Sequence, residues 1–124
     1  MRRAGDRDRG AALVEFALIL PLLAMLVFGL VEFGRGYNAQ VTLTHAAREG
    51  VRTLAITQDS AAAATVAKDA ATSLDPAEIS VSSTPCVIGD PVELTLTYPF
   101  TYDIPIVGTS TINLSSTGVM RCGG

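Results

Sequence analysis

The sequence has little of what enzymes and metal sites are built from. It holds one histidine, His45, and two cysteines, Cys86 and Cys122, in 124 residues. A structural zinc site takes four ligands, so these three side chains do not supply one. No nucleophile elbow, phosphate loop or metal-ligand cluster is present. Basic residues are also scarce: from Glu32 onward five stand against nine acidic ones, a net charge of about −4. Nucleic-acid binding calls for a clustered basic face, which is missing here. The expectation is a protein that is not an enzyme and takes no cofactor, metal, nucleic acid or small-molecule substrate.

What the chain has in quantity is hydrocarbon. Hydrophobic residues make up 48% of it, and many lie in one block, Ala11 to Val31, whose only charge is Glu15. At about 1.5 Å per helical residue that block reaches about 31 Å, close to the roughly 30 Å core of a bilayer. It is the chain's one transmembrane candidate. Arg2, Arg3, Arg7 and Arg9 precede it and fewer basic residues follow closely. That asymmetry predicts a single-pass protein of the cytoplasmic membrane with its N-terminus inside and the rest outside. Both cysteines then lie outside, where an even pair reads as a Cys86–Cys122 disulfide, the alternative being two unpaired buried thiols.

Four segments follow from this pattern: a polar leader (1–10), a transmembrane segment (11–31), an amphipathic extension of the same helix (32–58) and a small extracytoplasmic α+β domain (59–124). In the extension, Phe33, Tyr37, Val41, Ala47, Val51 and Leu54 read as one apolar stripe facing a partner. Pro21 removes a backbone donor and is expected to kink the helix within the membrane. "DSAAAATVAKDAATSLDP" reads as a second helix, capped by Asp59 or Ser60 and stopped by Pro76. Beyond it the period changes to two. "EISVS" and "PVELTLTYPF" read as strands, the latter with Val92, Leu94, Leu96, Tyr98 and Phe100 facing inward. "GDP" at Gly89–Pro91 is a turn between them, and a third strand, "STINLSSTGVMRC", has Ile112 and Leu114 inward. His45 reads as a polar-face helix residue, and Tyr98, Phe100 and Tyr102 as core packing with a binding edge as the alternative.

Glu15 is out of place in this scheme, because a carboxylate at the centre of a membrane helix costs roughly 2.5–3.5 kcal/mol. It stands five residues after Gly10, and the Gly10–Ala11 bond divides the charged leader from the apolar helix. This arrangement resembles type IV prepilin-like substrates. The run "RGAALVEFALILPLL...FGLVEFGRGYNAQVTLTHAAREGVR", roughly Arg9 to Arg52, resembles the TadE-like family of tight-adherence, Flp-type pilus systems. The resemblance implies a minor pilin or pseudopilin cut between Gly10 and Ala11 by a prepilin peptidase. It also implies that Glu15 pairs with the new α-amino group of a neighbouring subunit. The partners implied are the membrane, the peptidase, other pilins and the pilus assembly machinery. The fold expected is α+β: a long pilin-like transmembrane helix, a second helix and a small antiparallel sheet of about three strands. The competing expectation is an unprocessed single-pass scaffold or binding protein of the cell envelope, with Glu15 an interfacial residue of a signal anchor.

Overall fold

A computed structural model describes residues 4–124. Met1, Arg2 and Arg3, and with them two of the leader arginines, lie outside the described residues. One helix, α1 (Ala4–Thr57), takes up almost half of the chain and passes without a break from the leader through Pro21. A second helix, α2 (Ser60–Ala70), lies against α1. A 3-10 turn at Pro76–Glu78 leads to three strands, β1 (Ser80–Ser83), β2 (Pro91–Ile104) and β3 (Gly108–Arg121). They form one antiparallel sheet in the order β1-β2-β3. The expected α+β architecture, with one long apolar helix, a second helix and three strands, is present.

The core lies between the second half of α1 and the inner face of the sheet. Leu43, Val51 and Leu54 of α1 meet Val92, Leu94 and Leu96 of β2, all essentially inaccessible to solvent. The alternation along β2 places Val92, Leu94, Leu96 and Phe100 inward as expected, because side chains on a strand take opposite faces in turn. Small residues set the spacing. A Cβ added at Gly50 would come within 2.8 Å of the Ala67 methyl group of α2, and one at Gly118 of β3 within 2.6 Å of the Ala47 carbonyl oxygen. Helix and sheet therefore approach backbone to backbone at these two glycines.

Two readings of the sequence need correction. The buried stripe of α1 runs through Ala39, Leu43, Ala46, Ala47, Val51, Leu54 and Ala55, whereas Phe33, Tyr37 and Val41 are exposed on another face. The core face is chosen by residues small enough for close approach, and the larger side chains are left outside. The second helix ends at Ala70, well before Pro76. The Ala71 amide donates to the Ala67 and Lys68 carbonyls, and Leu74 donates back to Ala71. Thr72, Ser73 and Asp75 prefer such local turns to helix interior. The N-cap is Asp59, whose Oδ1 accepts from the Ala61 and Ala62 amides at 2.9 and 3.2 Å.

Cys86, in the loop after β1, is bonded to Cys122, just after β3, with their Cα atoms 5.5 Å apart. The Gly123 amide donates to the Ala55 carbonyl at 2.9 Å. The bridge joins the loop after β1 to the end of β3, and the hydrogen bond ties that end to the last turn of α1.

Candidate functional site

No residue from Ala11 to Val31 is buried. Thirteen large hydrophobic side chains from Leu13 to Val31 are exposed all round the helix. Burying each is worth about 1.5–3 kcal/mol, on the order of 20–40 kcal/mol in total. That exceeds the whole stability of an ordinary domain, so water is not the natural surrounding of this segment. It is one helix long and apolar enough to cross a membrane.

Glu15 sits on this bare helix, exposed. The residues one turn away, Ala11, Ala12, Leu18 and Ile19, offer it no charge and no hydrogen-bond donor. Any partner for its carboxylate must come from outside the helix. Gly10 is exposed too, and a Cβ built there meets nothing within 4 Å. Packing within the fold places no demand on a small residue at Gly10, in contrast to Gly50 and Gly118. At Pro21 the helix continues, but proline has no amide proton, so the Ala17 carbonyl loses its usual donor. The N-terminal group of sequence candidates thus shares one exposed apolar rod, while Cys86 and Cys122 lie at the far end of the outer domain.

The exit of the rod is built differently. Glu32 forms a two-pronged pair with Arg35 at 2.8 and 2.9 Å. The Arg35 guanidinium also lies 5.5 Å from the centre of the Phe100 ring. From there the β2–β3 hairpin runs alongside α1 in the opposite direction. Leu94 lies beside Gly50 and Phe100 beside Gly36, and the Asp103 amide reaches Glu32 Oε2 at 3.4 Å. Six strand residues and fourteen helix residues both span about 20 Å, so the two elements stay in step. Below Phe100 they part, leaving an open apolar groove of about 340 Å³ between Gly29, Phe33 and Gly36 on one side and Ile104 and Ile112 on the other. Ile112 therefore points inward by register yet stays half exposed.

Higher up, burial raises the pKa of the Tyr98 phenol above its ordinary 10.0, and the nearby Glu78 carboxylate adds to the rise. Among the described residues no three His, Cys, Asp or Glu side chains gather as metal ligands would. The sequence reading did not include the hairpin tip. Its signal was "DIPIVG", an apolar run where a turn should be polar.

Residues 10–52, about a third of the chain, match the family model described as TadE-like protein. No curated protein and no solved structure matches the chain.

Proposed function

We propose that this chain, TadE-like from Gly10 to Arg52, is a minor pilin or pseudopilin that acts by assembly in a tight-adherence type pilus or a related secretion system. A prepilin peptidase cuts it between Gly10 and Ala11 at the cytoplasmic face of the membrane. The helix from Ala11 then serves as membrane anchor and as polymerisation surface, and the outer domain lies beyond the membrane. The role is structural, without chemistry of its own.

One observation carries this reading. Glu15 is the lone charge of an apolar block, unpartnered within its own helix, five residues beyond a glycine that the fold does not require. A carboxylate and an α-amino group are each costly in lipid, and the cost falls when subunits bring them together. Assembly is thereby favoured in the register that pairs Glu15 with Ala11 of a neighbour. Pro21 adds a point at which the helix can unwind as subunits pack.

The unprocessed scaffold draws on a different observation: α1 runs unbroken through the Gly10–Ala11 bond, and proteolysis favours exposed, unwound chain. The first turns of a helix without tertiary packing open at little cost, however. The Glu15→Ala variant tests the pairing. It should reach the membrane in normal amount, yet its share in sheared filaments or cross-linked assemblies should fall about tenfold, equivalent to about 1.4 kcal/mol. Incorporation at the wild-type level contradicts the proposal.

A further inference from the structure

We propose that the tip of the β2–β3 hairpin, Ile104 to Val107, is a second membrane contact that dips into the outer face of the bilayer crossed by α1. This rests on the reading of residues 11–31 as a membrane span. The last ladder pair of the hairpin is Ile104–Gly108, so Pro105, Ile106 and Val107 form its loop. From Phe100, level with Gly36, to Ile104 is about 13 Å of strand, or about nine residues of helix. The tip therefore lies beside the last two turns of the apolar block, consistent with Ile104 sharing a groove with Gly29.

Helix and hairpin change character at the same height. On α1 the charges begin at Glu32 and Arg35. On the hairpin they end at Asp103, whose amide meets Glu32 and whose Oδ1 accepts from the Thr109 hydroxyl at 3.2 Å. Beyond that level the hairpin tip, Ile104 to Val107, carries only apolar side chains, and so does α1 from Val31 back to Phe16. Phe33 and Tyr37, stacked at 6.5 Å, stand just above it with Tyr102, where an interfacial aromatic belt would be.

The tip itself is poorly suited to water. Ile106 is 81% and Val107 62% exposed. Ile106 also has φ 77°, a region that favours glycine or asparagine and strains a β-branched residue. Lipid answers its exposure. Pro105 has no amide to desolvate, which lowers the cost of placing a turn at the headgroup–acyl boundary. A second protein copy is a poorer occupant, because two side chains offer far less than the roughly 800 Å² per partner of a stable interface. Two points of attachment restrain the tilt of α1 and the height of the outer domain over the membrane, which one helix alone leaves free.

The chain has no tryptophan, so single tryptophans report their own surroundings. The full chain is reconstituted in phosphatidylcholine–phosphatidylglycerol vesicles, with and without brominated phosphatidylcholine. Four variants are compared: Ile106→Trp, Val107→Trp, Leu20→Trp within the apolar block, and Ile88→Trp, which is 73% exposed near the disulfide. Val107→Trp guards against a disturbed turn at Ile106. Both tip variants should emit to the blue of Ile88→Trp and be quenched by bromine, most strongly when it is placed near the headgroup. Leu20→Trp should be quenched most by deep bromine. If Leu20→Trp is quenched and neither tip variant is, the hairpin contact is wrong and the span stands. Blue-shifted but unquenched tips place them against protein and overturn the proposal. If Leu20→Trp is unquenched as well, the span itself falls and takes the inference with it.

Discussion

The two halves of α1 are equally helical and differ in what covers them. From Ala11 to Val31 leucine, valine, isoleucine and phenylalanine face every direction and none is buried. From Ala39 to Ala55 the covered face is largely alanine and glycine, with Leu43, Val51 and Leu54 set among them. A helix apolar all round calls for a membrane or a deep core, whereas a stripe calls for one partner surface. The small residues of the second half let the sheet and α2 approach closely. Large side chains in the first half would hold any such partner away and suit that half to lipid or to other apolar helices.

Replacing a glycine where the sheet meets the second half of α1, and one where nothing covers the helix, should separate these roles most sharply. Gly118→Leu forces side-chain atoms into the Ala47 backbone and should cost about 3 kcal/mol or more. The outer domain's thermal transition, followed by circular dichroism of the full chain in detergent micelles, should fall steeply or vanish. Gly34→Leu meets open space and should leave that transition in place. Equal effects at both positions would mean that the close approach of helix and sheet is misassigned.

The disulfide comes next. Closing the loop across its 36-residue separation contributes about 3–4 kcal/mol in the chain-entropy model. Reductant should therefore lower the melting temperature of the outer domain by on the order of 15–25 °C. Membrane retention of α1 should not change, because the bridge touches only the second half of the helix. An unchanged melting temperature removes the bridge from the stability of the domain.

The smallest effect concerns Tyr98. Its pKa is raised in the folded chain above the 10.0 expected when unfolded. Above that value the unfolded state gives up its proton first, so stability should decline as the pH rises through 10 and beyond. Tyr98→Phe should remove this part of the decline in urea titrations at pH 9 to 11. An identical pH slope in the variant would assign the loss to other groups.

How far the sequence could be read follows the same division. The change of period from 3.6 to two located the strands, and alternation assigned the inner face of β2, because both are local patterns. The lone charge at Glu15 and its spacing from Gly10 are local patterns too, visible without tertiary structure, while the processing and pairing roles given to them belong to the proposal. The core stripe of α1 was legible only in part: Ala47, Val51 and Leu54 are buried as read. Phe33, Tyr37 and Val41 looked like core by size, while the face actually covered is selected by what fits at Gly50 and Gly118, on different elements. The early end of α2 depended on competing turn hydrogen bonds at Ala71 and Leu74. The hairpin tip could not be placed at all, since its height beside α1 appears only when Leu94 is seen beside Gly50 and Phe100 beside Gly36.

The account turns on whether the first half of α1 is the product of a cut at Gly10. The most direct test is the mass of the N-terminal peptide of protein taken from its native membrane in cells with an active prepilin peptidase. The account predicts a chain beginning at Ala11, and an uncut chain when Gly10→Leu blocks the site. A wild-type chain still beginning at Met1 would contradict it and leave an anchored scaffold, with Glu15 in need of a different partner.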